Sequence, residues 1–383
     1  MNDRYDIIIL GAGIAGASCA AALAGHARIL LLEREDFPGR HTTGRSAATF
    51  FDTIGGEQVR GLTRASRHFL LNPPEDYGEG PLMTPLGALS IARADQLASL
   101  AALQRSIANP DQIALLSTDE ALAMVPILRP EAAVQALYDG TGFNVDVDRL
   151  LQGALKTCRR LGVDIKLGCG DARLTRAHAV WKVETTLGEF SADIVVNATG
   201  AWADQVAQAA GVGTVGLEPR RRAAMTLPAP SIPSAGWPMV GDVDGSFYFK
   251  PDAGQILLSP ANEDLDVPCD VAPDEMDIAI AVDRFETATT MTVTRINHRW
   301  AGLRSFVPDR SPVCGFDTDA KGFFWLAGQG GYGIQTSPAL AAAAASLILG
   351  APWPAFLEAE GLSPADISPA RLGTGSSLQT ARS

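Results

Sequence analysis

Two glycine-rich stretches near the ends of the 383-residue chain carry spacing that suits chemistry. In the first, GAGIAG, Gly11, Gly13 and Gly16 stand in G-x-G-x-x-G spacing. The apolar run YDIIIL precedes them and reads as a buried strand that stops at glycine. ASCAAALAG continues as a helix, and LLLE reads as a second buried strand closed by Glu33. Strand, glycine turn, helix, strand and an acid about 20 residues on form the βαβ dinucleotide fingerprint. Gly11 makes the tight turn, Gly13 admits a pyrophosphate and Gly16 lets helix and strand approach. The backbone of Ile14 and Ala15 opens the helix toward the phosphates. Glu33 is placed to accept hydrogen bonds from a ribose. A glycine-rich turn in an unrelated α/β unit is the plain alternative.

The second stretch, GQGGYGIQTSPALAAA, begins at Gly328. It runs from helix-averse glycine into alanine, the best helix former. A helix that starts there points unpaired N–H groups, and the positive end of its dipole, at whatever lies in front. A simple helix cap is the alternative. Downstream of the fingerprint, REDFPGRHTTGRSAATFF is rich in small and hydroxyl residues. Thr43 and Ser46 can donate to a pyrophosphate, and Ala47 and Ala48 leave room for a flat ring. That combination favours FAD over NAD.

Composition bounds the rest. The length suits two domains or more. Apolar content is 46 % and charged content 19 %, ordinary for a globular protein. Lys+Arg 31 against Asp+Glu 43 leaves −12 with no basic cluster, so nucleic acid is not an expected partner. The cysteines (Cys19, Cys158, Cys169, Cys269, Cys314) are odd in number and lack C-x-x-C spacing. A reducing cytoplasm fits, and neither a disulfide framework nor a metal site is expected. The start MNDRYDIIILGAG does not read as a signal peptide. ALAAAAASLILG is too short for a membrane span, which takes about 20 residues. The end of the chain, RLGTGSSLQTARS, is expected to be mobile.

LGAGIAGAS, LEREDFPG, HTTGRSAA, NATGAWAD, WAGLRSF and GQGGYGIQTS occur here in an order and spacing that resemble the D-amino-acid-oxidase-like FAD oxidoreductases. That group includes glycine oxidase, sarcosine oxidase and D-amino acid dehydrogenases. The nearest resemblance is to bacterial D-arginine dehydrogenases, and it covers nearly the whole chain. It implies an α/β fold in which a Rossmann-type FAD-binding domain (residues 1–48, 143–217 and 319–383) is interrupted by a mixed-sheet α+β substrate domain (49–142 and 218–318). It implies cofactor contacts at Arg34, Arg45, Ala172, Gly200, Trp202, Gly302, Arg304, Gly330, Gly331, Tyr332, Gly333, Ile334 and Gln335. Members of the sarcosine branch often attach flavin through cysteine. WAGLRSF contains none, so non-covalent FAD is expected.

An amino-acid substrate brings a carboxylate, for which a guanidinium is the best fixed partner. EPRRRAAM reads as a strand that puts Arg220 and Arg222 on one face and Arg221 on the other. Taken alone, these read equally as a solvated charged edge. The resemblance assigns carboxylate binding to Arg222 and Arg304, and a substrate-facing hydroxyl to Tyr248. Gln335 and the backbone of Gly331 lie toward the amine side by the same resemblance. The implied reaction is hydride loss from Cα to flavin N5. The imino acid then hydrolyses to a 2-oxo acid and ammonia, and oxygen, a quinone or a dye reoxidises the flavin. None of the five histidines is assigned a role.

The resemblance breaks in the side-chain pocket. Ala88 stands where D-arginine dehydrogenases hold the substrate guanidinium with glutamate. Thr49 and Ile54 replace a histidine and a tyrosine, and Phe51 and Met239 add apolar bulk. A buried guanidinium without a partner is costly. A neutral or apolar D-amino acid is therefore the expected substrate, unless Asp52, Asp242 or Asp244 supplies the missing charge. Secondary or N-methyl amines, 2-hydroxy acids, and a flavoprotein without turnover are the competing readings.

Overall fold

A computed structural model describes residues 4–107 and 112–373; residues 374–383 of the tail expected to be mobile lie outside them. Three sheets organise the described residues. The first has eight strands, with Arg4–Leu10 near its middle. Ile29–Leu32 lies parallel on one side and Gly188–Asn197 parallel on the other. Asp164–Lys166 extends one edge, while Arg173–Ala177 and Val180–Thr185 form an antiparallel extension of the other. Phe323–Ala327, from near the chain end, returns parallel to Gly188–Asn197.

Burial on both faces explains why these strands read as unbroken apolar runs. Ile7 and Ile9 point into one hydrophobic cluster, whereas Ile8 and Leu10 point into another. The helix Ile14–Leu23 covers the first face with small side chains, and the alanine-rich helix Gly333–Leu349 packs against it. The two glycine turns found in the sequence thus open neighbouring helices in one lobe.

The second sheet has nine strands, and its decisive pairing is antiparallel. Glu218–Leu227 runs against His298–Phe306, with Arg220 opposite Arg304 and Arg222 opposite Gly302. Residues directly opposite share a face, and so do residues two apart on one strand. Arg220, Arg222, Gly302 and Arg304 therefore face the same way. Arg221 turns to the other side, where it pairs with Asp266 at 3.1 Å and Asp277 at 3.1 Å.

A small third sheet joins Thr49–Phe50, Met83–Pro85 and Phe143–Val145. Lys250, on the strand Tyr248–Asp252, crosses to it. Its buried Nζ donates to Asn144 Oδ1 at 2.7 Å.

Close approach at Gly16 makes the first turn testable. A Cβ there would collide with the Gly11 carbonyl oxygen and crowd the Ile9 side chain. Gly16→Ala should lower stability by about 1–3 kcal/mol, because overpacking forces backbone shifts. Gly213, whose Cβ would meet nothing within 4 Å, is the control. Thermal melts of Gly16→Ala, Gly213→Ala and the parent protein check this.

Candidate flavin and substrate site

The strand ends and glycine turns enclose a cleft of about 490 Å³ lined by Gly11, Gly13, Glu33, Arg34, Thr43, Ala172, Gly200 and Trp202. Gly11 adopts φ +96°, and a Cβ there would come within 2.6 Å of the Ala198 carbonyl oxygen. Only glycine takes that conformation at that distance without strain. Glu33 is buried, and two backbone donors hold its carboxylate. The Ala12 N–H donates at 2.7 Å and the Glu35 N–H at 3.1 Å. A carboxylate offers about four lone-pair sites, so two remain for ribose hydroxyls. The Ile14 N–H donates to Thr43 Oγ1 at 3.0 Å, which leaves the Thr43 hydroxyl hydrogen free to donate. Trp202 stands against His41, ring centroids 4.7 Å apart, with the Arg34 guanidinium 5.2 Å from its own ring.

A second cleft, about 140 Å³, shares Gly13, Thr43 and Gly200 with the first and continues it. Its walls include Ile14, Ala15, Arg45, Ser46, Ala47, Gly302, Gly330, Gly331, Gly333 and Ile334. The loop carrying Arg45 is pinned to the strand His298–Phe306. Thr42 Oγ1 donates to the Leu303 carbonyl at 2.8 Å, and Trp300 Nε1 donates to the Arg45 carbonyl at 2.9 Å. The Arg45 guanidinium turns outward to Asp270 and to the carbonyls of Val271 and Ala301. Its charge is thus taken up by these partners.

The donor set fits FAD. The two joined clefts give a dinucleotide end with a fixed carboxylate and a ring end walled by small residues. Two buried polar atoms without a partner, Ser305 Oγ and Gln329 Nε2, belong to residues of the ring end. Side chains at Gly330 and Gly331 would intrude on the Phe306 ring and on the Arg304 guanidinium. These glycines let the turn lie directly against Arg304. The helix that follows the turn aims unpaired N–H groups at the cleft. Ser305, Gln329 and Thr42 have no local signature, and sequence reasoning does not reach them.

Arg222, Tyr248 and Arg304 open onto this same cleft. Arg222 is anchored through Nε to the Asn262 carbonyl at 2.7 Å and through Nη2 to Glu263 at 3.1 Å. Burial, reinforced by the positive charge of Arg304, pushes the Arg222 guanidinium down to about 10. Tyr248 and Glu263 act against that shift. Glu263 and Asn262 are further residues that sequence reasoning does not reach.

Other expected pocket residues lie elsewhere. Thr49, Phe51, Ile54, Ala88, Met239 and Gln335 are not part of either cleft wall, nor are Gly16, Ala48 and Tyr332. Gly16 serves helix packing. Gln335 is buried and its amide is taken: Nε2 donates to Thr63 Oγ1 at 2.8 Å and to the Phe51 carbonyl, while Oε1 accepts from the Phe51 N–H. It therefore braces the loop after Thr49–Phe50 and presents no side-chain group to the cleft. Ile54 is 40 % exposed. Ala88 pairs with Met239 and with Asp139, a buried acid that accepts from Thr53 and Thr141. Among the described residues no cluster of His, Cys, Asp and Glu is able to hold a metal ion, and no helix is long and apolar enough to cross a membrane.

Comparison with known proteins follows the same outline. A family model described as DAO, FAD dependent oxidoreductase, matches residues 6–347. The chain is 26% identical to FAD-dependent oxidoreductase domain-containing protein 1 of Bos taurus, over 91% of this chain and 82% of the relative. Its fold resembles L-proline dehydrogenase from P. horikoshii with a TM-score of 0.81 at 22% identity, covering 97% of this chain and 98% of that one. It also resembles glycine oxidase from Geobacillus kaustophilus, with a TM-score of 0.78 at 22% identity, covering 91% and 95%.

Two outcomes follow for the cofactor. Heat-precipitated protein should leave its flavin in the supernatant as intact FAD, read by absorbance and chromatography. Glu33→Ala removes the carboxylate that accepts from Ala12 and lines the cleft. If the two free acceptor sites of Glu33 take ribose hydroxyls, FAD binding should weaken by at least about tenfold, since a charged hydrogen bond contributes about 1.5–3 kcal/mol. Flavin content after dialysis measures it.

Proposed function

We infer the function from one premise: the chain belongs to the family of FAD-dependent oxidoreductases, whose model spans residues 6–347. The cofactor is FAD, and the residues of the joined clefts are suited to hold it without a covalent bond. Bound FAD supplies a two-electron acceptor for a hydride leaving a substrate carbon. What remains for the chain is to hold that carbon in place and keep its neighbours in the right charge state.

The substrate proposed is an α-amino acid. The observation that carries this reading is the placement of Arg222 and Arg304 on one sheet face, with Tyr248, against the Gly331 turn. Two guanidiniums and a phenol can clamp a carboxylate in a fixed orientation. The amine enters neutral and releases one proton as its Cα–H leaves with the electron pair. The imino acid takes up water and yields a 2-oxo acid and ammonia. The same clamp accepts a 2-hydroxy acid or a secondary amine acid, so these are outcomes of the assay below. The acceptor, oxygen or a quinone or dye, is read from the same assay. The cysteines carry no disulfide among the described residues, which suits a reducing, cytoplasmic setting.

The finer proposal is a D-amino acid with a neutral or apolar side chain. Its handedness rests on the resemblance to D-amino acid dehydrogenases. Its neutrality rests on Ala88 standing in place of an acid and on the other candidate acids being engaged elsewhere. Asp52 pairs with Arg67 at 2.7 Å, Asp242 takes Gln96 at 2.8 Å and Arg93, and Asp244 takes Gln96 at 2.7 Å. Asp139 already accepts three hydrogen bonds from Thr53 and Thr141. A cationic side chain would find no free carboxylate among them, whereas an apolar one gains about 0.8 kcal/mol per methylene buried.

Anaerobic flavin reduction and steady-state kcat/KM over D- and L-amino acids, N-methyl amines and 2-hydroxy acids test the reading. D-leucine, D-methionine and D-phenylalanine should exceed D-arginine. A clear preference for D-arginine overturns the neutral pocket, and no reduction by any compound overturns the enzyme. Arg222→Met and Arg304→Met should each keep FAD and lose at least about tenfold in kcat/KM, from about 1.5–3 kcal/mol per charged hydrogen bond. The pH dependence has a defined sign. Burial and the Arg304 charge weaken the hold of the Arg222 guanidinium on its proton, so any loss of carboxylate binding with pH should appear on the alkaline side. Benzoate, which does not itself titrate there, is the probe for that measurement.

A further inference from the structure

Beside the clamp lies an acid that the reaction above does not use. Glu263 Oε1 is 3.1 Å from Arg222 Nη2 and 3.8 Å from Arg304 Nη1, and its Oε2 is 2.8 Å from Arg310 Nη2. One carboxylate thus serves three guanidiniums. Its backbone is fixed from the same side. The Glu263 carbonyl accepts from Arg220 Nη1 at 3.1 Å, and Asn262 Oδ1 accepts from the Ala223 N–H at 2.9 Å. The turn is tight enough that Ala261 takes φ +52°. Backbone and neighbours hold the turn, while the side chain of Glu263, 32 % exposed, retains room to move.

We propose that Glu263 is a built-in competitor for the substrate carboxylate, which it precedes on Arg222 and Arg304 and to which it yields when substrate binds. The proposal rests on the carboxylate clamp described above. Its physical basis is charge balance. Two half-buried guanidiniums on one face repel each other and lose hydration, so a nearby acid stabilises the empty site. An incoming carboxylate has the same charge and the same hydrogen-bonding geometry. It exchanges with Glu263 one for one, and Glu263 keeps its second oxygen on Arg310, whose side chain is 47 % exposed. Glu263 then lowers the affinity for every carboxylate by the free energy of the pair that must be broken. It also balances charge, because removing it takes away the acid that Arg222, Arg304 and Arg310 share.

A positioning residue and a competitor predict opposite signs. If Glu263 merely held Arg222 in place, Glu263→Gln would weaken carboxylate binding. As a competitor, its loss should tighten binding. Holoenzyme is titrated with benzoate and with the uncharged benzamide, and the flavin spectrum is read. Glu263→Gln should bind benzoate about tenfold more tightly, the equivalent of one charged hydrogen bond no longer to be displaced, and benzamide with little change. Arg310→Gln provides a second, independent variant. Without its outer anchor Glu263 settles on the clamp, and benzoate binding should weaken by about threefold to tenfold. Tighter benzoate binding in Glu263→Gln together with weaker binding in Arg310→Gln supports the proposal. Equal or weaker binding in Glu263→Gln overturns it, and so does equal or tighter binding in Arg310→Gln. Arg304→Met separates the two levels. If it abolishes benzoate binding while Glu263→Gln fails to tighten it, the clamp stands and the competitor falls. If it leaves benzoate binding unchanged, the clamp reading falls and the competitor with it.

Discussion

The register between Glu218–Leu227 and His298–Phe306 is the constraint on which the site depends. Because Arg220 lies opposite Arg304, Arg222 and Arg304 become diagonal neighbours on one face. A slip of one residue would send Arg222 to the far side, where Arg221 meets Asp266 and Asp277. Like charges so close are unfavourable on their own. The fold offsets this with the Asn262–Glu263 turn, with Tyr248 and with the open cleft in front of them. The same strand, through Leu303 and Trp300, grips the loop that closes the dinucleotide end. The geometry of both clefts therefore depends on one antiparallel pair.

The dinucleotide end was legible because its determinants are local. A strand, three glycines, a helix and an acid fall within the first 33 residues, and each position has its own steric reason. Gly11 and Gly16 are contacted as that spacing requires. Arg220 and Arg222 could be put on one face by alternation, since period two is a property of a single strand. Their partner strand could not be found that way. Recognising Arg304 as the partner needed the family resemblance, and the register came from the structure.

What the sequence left dark is long-range and polar. Glu263 meets Arg222 across 41 positions, and Gln335 meets Phe51 across 284. No periodicity or cap announces such pairs. Gln335 sits in a motif that suggests cofactor contact, yet its amide is consumed in bracing a distant loop. The resemblance places Ala88, Met239 and Ile54 in one pocket. In the fold Ala88 and Met239 are neighbours within a sheet, while Ile54 is at the surface.

The pairing of the first helix, Ile14–Leu23, with Gly333–Leu349 has a consequence for how the protein is made. The apolar face opened by the first βαβ unit has to wait for a helix encoded about 320 residues later. At about 5–20 residues per second of synthesis, that wait lasts on the order of tens of seconds. The nine-stranded sheet draws only on residues 88 to 306 and is complete before the closing helix leaves the ribosome. The apolar face of the first lobe therefore stays uncovered until Gly333–Leu349 has been made.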